Sequence, residues 1–194
     1  MTWMNIKMSP GIAIMDLWIA FAVTWAVAAL WAARAEKSAG LSVEAPYRIT
    51  MLAGAALLAV PAHRYQGWMR LWQVNAAEAW ACVGLMAAGL ALAWWARLHL
   101  GRLWSGKITK KAEHRIVETG PYAIVRHPIY TGLVVAILAT MLAKGTLPGI
   151  AGAALITTGI YMKARLEERF LRAELGADAY DAYSRRVPML IPFT

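Results

Sequence analysis

The residues able to do chemistry in this chain gather in two short stretches. The first runs from Gly120 to Gly132 and holds Tyr122, Arg126, His127 and Tyr130, with prolines at 121 and 128. The second is the pair Glu167–Glu168. Pro128 fits the first turn of a helix, where its missing N–H costs nothing. Arg126 and His127 then stand at the helix entrance, among backbone N–H groups that favour an anion such as a carboxylate. Tyr130 falls inside the first turn, and Gly132 leaves room for close approach of a ligand or a second helix. The two glutamates add acceptors for an ammonium or for ribose hydroxyls. Together the two stretches suit a zwitterionic or cationic cofactor.

Each residue also has a plainer explanation. Arg126 serves as a topology signal, His127 as a helix-cap histidine, and Tyr122 and Tyr130 as interfacial anchors. Glu167 and Glu168 fit a solvated helix face, with Glu168 reaching Arg165 at i−3 or Arg172 at i+4. The case for a site is their coincidence, which depends on the elements that carry them.

Residues 17–33 carry no charge, and with residues 11–16 the largely apolar stretch reaches 23 residues. As a helix it is about 34 Å long, enough to cross a bilayer core of about 30 Å. Residues 38–47, with Gly40 and Pro46, read as a loop. A second apolar run, 49–62, is short for a span unless it extends back to Ala45. Residues 63–75, with Trp68 and Trp72, read as an interfacial loop. A third run, 79–96, ends in Trp94-Trp95 with Arg97 next, an aromatic belt with a basic cap. After the polar segment 97–127 come a fourth run, 128–143, a turn over 144–149, and a fifth run to residue 162. The last two runs predict an antiparallel hairpin. From Lys163 the chain becomes an amphipathic helix with Leu166, Phe170 and Ala173 on one face. Gly176 stops it, and an aromatic, proline-containing tail follows from Tyr180 to Phe193.

Hydrophobic residues make up 60% of the chain and charged residues 16%. A soluble domain is nearer half apolar and a quarter charged, so the composition points to a membrane. The formal charge of +9 fits basic cytoplasmic loops, and no compact basic run interleaved with aromatics suggests nucleic acid. Cys82 stands alone, and no Cys/His cluster suggests a metal. The first apolar run outlasts a signal-peptide core and reads as a retained helix. With five spans, sixteen of the twenty Lys and Arg fall on one side: loops 34–48 and 97–127 and the segment 163–194. By the positive-inside rule that side is cytoplasmic, the N-terminus is outside and the C-terminus inside. The expectation is one all-α integral membrane domain over 1–194. It has about five transmembrane helices, a C-terminal hairpin and a cytoplasmic amphipathic helix. Arg126, His127 and Tyr130 then face Glu167 and Glu168 at one membrane boundary, where ionisable groups suggest function.

The pattern Gly120-Pro121-Tyr122, Arg126-His127-Pro128, Tyr130, Gly132, then Glu167-Glu168, then Leu175-Gly176, Tyr180, Tyr183, Arg186-Val187-Pro188 and Ile191-Pro192-Phe193 resembles the isoprenylcysteine carboxyl methyltransferase family. It is more similar to the prokaryotic members and to the wider group that includes phospholipid N-methyltransferases. The likeness runs from about Leu100 to Phe193 and takes in Gly101, Trp104-Ser105 and His114. Residues 1–97 match only as three hydrophobic helices. The resemblance implies an S-adenosylmethionine-dependent membrane enzyme, in a bacterial inner membrane, whose part 98–194 binds the cofactor. It implies that Tyr122, His127 and Tyr130 contact the cofactor, that Arg126 orients cofactor or acceptor, and that Glu167 and Glu168 hold the amino-acid or ribose part. Arg126, His127 and Glu168 are the expected catalytic set, and the tail is expected to cover the site. The partner is a lipophilic small-molecule or lipid acceptor carrying a carboxylate or hydroxyl, with no metal. Gly176 and Tyr180 are separated by three residues where the family usually has two. An NADPH-dependent membrane reductase of a lipid or sterol-like double bond is the alternative enzyme. A non-catalytic scaffold leaves the coincidence of the two stretches unexplained.

Overall fold

The computed structural model describes residues 9–30, 37–38, 40–104, 109–110 and 116–194. Ser105, His114 and the basic residues Lys107, Lys111 and Arg115 lie outside them. Six helices form the described fold: α1 (Pro10–Ala29), α2 (Leu41–Ala59), α3 (Ala76–Leu100), α4 (Pro128–Lys144), α5 (Leu147–Leu175) and α6 (Ala177–Arg186). A two-residue antiparallel ladder joins Lys37–Ser38 to Thr109–Lys110. Among the described residues, α1 and α3 are long and apolar enough to cross a membrane, and α4 is a shorter apolar helix.

Three elements differ from the sequence reading. Helix α2 begins at Leu41, inside the expected loop 38–47. Gly40 breaks the chain as expected, at φ 90°, but Pro46 lies within the helix. Burial of Glu44 and Tyr47 accompanies the helical turn that holds it, and packing of this kind overrides a local breaker. The turn between α4 and α5 is only two residues. Gly145 takes the left-handed conformation that closes α4, and the Thr146 hydroxyl accepts from Gly149 N at 3.2 Å to open α5. The expected tail contains α6, bounded by Gly176 and Val187. Its inner face, Tyr180, Tyr183 and Val187, is buried together with Ile116 and Leu171.

Two crossings set the architecture. Helix α3 packs on α4, and α2 packs on α5, so each of these N-terminal helices takes a C-terminal partner. In both crossings a glycine from each helix lets the backbones touch. A Cβ on Gly89 would lie 2.6 Å from the Gly132 carbonyl oxygen, and one on Gly132 would lie 2.3 Å from that of Gly89. Gly54 and Gly152 repeat the arrangement at 2.6 and 2.7 Å. Small residues at crossings are how helices associate where the surroundings are as apolar as the side chains. Helix α1 is the outlier. Trp18 Nε1 donates to Thr140 Oγ1 at 3.1 Å, and Phe21 stacks on Trp25, which meets Trp94 and Trp104 edge-to-face. Its other face, Ile12, Met15, Ile19, Val23 and Val27, is exposed.

Cations fasten the helix ends. The fully buried Arg97 donates from Nη1 to Gly101 O at 2.7 Å and from Nη2 to Ala28 O at 2.8 Å, with Trp104 under its guanidinium. It thus serves the C-terminal carbonyls of both α1 and α3, the favoured place for a cation. Lys144 Nζ does the same for α2, donating to Leu58 O and Val60 O at 2.6 Å each. These contacts sort the ends. The C-termini of α1 and α3 lie together, and the C-termini of α2 and α4 lie together.

Candidate functional site

The site forms because α5 does not stop where its apolar run stops. Its 29 residues continue as one helix through Lys163, and that carries Glu167 and Glu168 to the entrance of α4. Pro128 is the first residue of α4, and His127 is its N-cap residue, with no side-chain cap bond. Arg126 Nε donates to Glu168 Oε1 at 2.7 Å. His127 Nε2 lies 3.3 Å from the same oxygen, and its Nδ1 lies 3.8 Å from Glu167 Oε2. Tyr130 donates its hydroxyl to Glu167 Oε1 at 2.6 Å, and its ring lies nearly parallel to that of His127 at 5.4 Å. Five of the six expected residues therefore meet around two carboxylates.

The electrostatics favour a charged cluster. Burial alone would raise the Glu168 carboxyl. The approach of His127 and Arg126 outweighs it and holds the group at about 2. Glu168 is thus an anion throughout the physiological range. Its side chain is 11% exposed and that of Arg126 10%, so neither charge is well hydrated without the other. Buried His127 leaves Nε2 without an aligned hydrogen bond among the described residues.

The tail closes over this cluster through Arg126 and its neighbours. Arg126 Nη1 donates to Ser184 O at 2.9 Å and also to Val187 O. The backbone N–H of Arg126 donates to Pro188 O at 2.8 Å, that of His127 to Met189 O at 3.1 Å, and the Thr131 hydroxyl to Leu190 O at 2.7 Å. The two amides before α4, expected to receive an anion, bind the chain's own carbonyls instead. Arg126 likewise turns towards Glu168 and the tail. Its geometry is that of a strap.

Tyr122 stands behind the cluster. It is buried among Ala93, Ala96 and Ile129, and burial pushes its phenol up. Its hydroxyl points to Ala96 O at 3.4 Å, and its own carbonyl accepts from the Tyr183 hydroxyl at 2.8 Å. Tyr183, pushed up to about 12 chiefly by burial, is thereby held as a donor. The extra residue after Gly176 is absorbed by α6: Tyr180 N bonds back to Gly176 O at 3.2 Å, and both tyrosines turn inward.

Two residues at the site escaped the sequence reading. Lys163 Nζ lies 3.8 Å from Glu167 Oε1 and 5.5 Å from the centre of the Tyr130 ring. Its i−4 spacing from Glu167 was the available signal. Tyr47 of α2 lies on the other side of the same ammonium, 5.8 Å from its ring centre. Its buried hydroxyl has no hydrogen-bond partner among the described residues, and nothing local in the sequence marks it.

Among known proteins, this chain is similar to methanethiol S-methyltransferase 2 of Bradyrhizobium diazoefficiens, 45% identical over 73 residues, which is 37% of this chain and 26% of that protein. It is similar to methanethiol S-methyltransferase 1 of the same organism, 43% identical over 72 residues, 37% of this chain and 24% of the relative. It is also similar to protein-S-isoprenylcysteine O-methyltransferase B of Arabidopsis thaliana, 31% identical over 88 residues, 45% of this chain and 44% of the relative. The chain thus spans less than half the length of the curated relatives it matches. The family model that matches covers residues 82–173, from within α3 to near the end of α5, including Arg126, His127, Tyr130, Glu167 and Glu168. That model describes the isoprenylcysteine carboxyl methyltransferase (ICMT) family, to which this segment is similar.

Proposed function

We propose that this chain is an integral membrane methyltransferase that binds S-adenosylmethionine at the Arg126–Glu168 cluster and methylates a lipophilic acceptor. The observation that carries the reading is the meeting of His127, Tyr130, Glu167 and Glu168 within a segment similar to this family. The topology that goes with it has five spans, N-terminus outside and C-terminus cytoplasmic, in a bacterial inner membrane. The sorting of helix ends by Arg97 and Lys144 supports that alternation. Residues 1–97 then contribute three of the spans and residues 98–194 the cofactor-binding part.

The residues present suit the ligand. Two carboxylates at a membrane boundary favour a sulfonium and an ammonium, and each keeps one oxygen free of a close hydrogen bond among the described residues: Glu167 Oε2 and Glu168 Oε2. The buried His127 Nε2, lacking an aligned bond among the described residues, is a ready partner for a ligand hydroxyl or carboxylate. Bound S-adenosylmethionine supplies an already activated methyl group. The chain then has to orient donor and acceptor in line and exclude water. Arg126 does this indirectly, by fixing Glu168 and the tail carbonyls in one arrangement. Tyr130 holds Glu167, and the tail over residues 126–131 shields the cluster. A carboxylate acceptor needs no base, whereas a hydroxyl does, and His127 is the nearest candidate.

Calorimetry on purified protein in lipid nanodiscs tests the cofactor. S-adenosylmethionine is expected to bind and NADPH to give no heat. His127→Ala and Glu168→Gln are expected to weaken binding at least tenfold, equivalent to about 1.4 kcal/mol, while the fold remains intact by circular dichroism. Normal binding by both variants would overturn the site. The acceptor is found by incubating the enzyme with labelled donor and a total membrane lipid extract, then identifying the product by mass.

A further inference from the structure

Beside the cluster, on the other flank of α5, a groove of about 440 Å³ opens between the first turns of α2 and the charged part of α5. Val43 and Pro46 form one wall, and Met162 and Leu166 form the other. Arg165 and Arg169, one turn apart on α5, stand at its edge, both exposed. The charges facing them are few. Glu168 lies 4.0 Å from Arg165 but is bound more closely by Arg126. Glu44, on α2, is buried and paired with Arg48. Arg169 has no carboxylate within ion-pair distance among the described residues. The groove therefore joins an apolar trough to two exposed guanidiniums, of which Arg165 shares the Glu168 carboxylate at 4.0 Å with Arg126 and Arg169 has no carboxylate partner among the described residues.

We infer that this groove holds an anionic phospholipid of the surrounding bilayer, with its phosphate between Arg165 and Arg169 and one acyl chain along Val43, Pro46, Met162 and Leu166. The complementarity is twofold. A phosphate matches guanidiniums by charge and by fork geometry. Basic pockets between helices on the cytoplasmic side are where anionic headgroups dock. The cytoplasmic assignment rests on the topology proposed above. A zwitterionic lipid would bring an ammonium towards the same two cations and is disfavoured. Tyr47 forms part of the groove floor and lies against Lys163, which also faces Tyr130 and Glu167. The lipid would thus sit one side chain away from the cluster.

A groove reporter tests this without methyl donor or acceptor, so its outcome is independent of the methyltransferase reading. Tyr161→Trp places an indole on the exposed groove wall. In nanodiscs of fixed composition, brominated phosphatidylglycerol is compared with brominated phosphatidylcholine as a quencher, and the signal of the parent protein is subtracted. The anionic lipid is expected to be enriched on the order of tenfold at the reporter, from two cations near the surface. The added substitutions Arg165→Gln and Arg169→Gln are expected to abolish that preference while quenching by phosphatidylcholine persists. Equal quenching by the two lipids would overturn the proposal. So would a preference that survives the double substitution, since the headgroup would then be held elsewhere. Displacement by millimolar glycerol phosphate would show a free-phosphate site and also overturn it.

Discussion

The two glycine-mediated crossings begin alike and end differently. At the α4 entrance, the α3–α4 pair is closed by Tyr122, Ala93, Ala96 and Ile129, with Arg97 held by two carbonyls and Trp104. The α2–α5 pair reaches the same level with Lys163, Glu167 and Glu168 on α5 and Tyr47 on α2. The first end is a sealed apolar plug, and the second is a cluster of charges. The difference follows from length. Helix α5 has 29 residues against 19 for α2, so its last turns have no neighbour from the crossing and can present polar groups. A helix that overruns its packed partner can therefore carry a polar site beyond the glycine contact.

The sharpest way to break the comparison is at the glycines. Gly132→Leu is expected to cost roughly 5 kcal/mol, in the exceptional range for one substitution, because its Cβ meets backbone at 2.3 Å. Little monodisperse protein should survive gel filtration. Gly152→Leu should be somewhat milder at 2.7 Å, and Gly84→Leu, with nothing within 4 Å, should be nearly neutral. If all three behave alike, the crossings are not what holds the bundle.

Next in size is the strap. Glu168→Ala leaves Arg126 buried without its carboxylate and is expected to cost about 4 kcal/mol. The loss should appear in the melting temperature and as earlier proteolysis of the tail beyond Gly176. The same pair predicts a pH dependence. The Glu168 carboxyl sits at about 2 against an ordinary 4.5. Its contribution, on the order of 3 kcal/mol, is full above the unfolded value and is lost as pH falls through about 2. Melting curves should show no loss from this group between pH 7 and 5 and a steep loss between pH 4 and 2. Glu168→Gln should flatten that slope. The smallest effect belongs to the remote end. Lys144→Met removes the cation over the α2 carbonyls and is expected to cost about 1 kcal/mol. S-adenosylmethionine affinity should be unchanged there.

Much of this was legible because periodicity and charge act locally. The uncharged runs marked α1, α3 and α4 almost to their ends, and Gly176 marked the end of α5. The pairing of Arg126, His127 and Tyr130 with Glu167 and Glu168 followed from a hairpin whose turn is visible in Gly145 and Pro148. What escaped depended on contacts distant in sequence. Pro46 looks like a helix breaker until Glu44 and Tyr47 are seen to be buried. Arg126 looks like a ligand-binding cation until the carbonyls of Ser184 and Val187 are found beneath it. Helix α6 hid behind its flanking glycine and proline, although Tyr180, Tyr183 and Val187 are spaced for one helical face.

The unbroken course of α5 makes the site a matter of phase. Between Gly159, which touches α2 at Met51 and Tyr47, and Glu167 the helix has no joint, so the carboxylates are indexed to the crossing like marks on a ruler. A helix turns by about 100° per residue and rises about 1.5 Å. One residue inserted between these points would swing both glutamates away from His127 and Tyr130 while leaving the crossing untouched. A whole turn added would restore their direction but raise them about 5.4 Å above the α4 entrance. The azimuth and the height of the site are thus written into a count of residues.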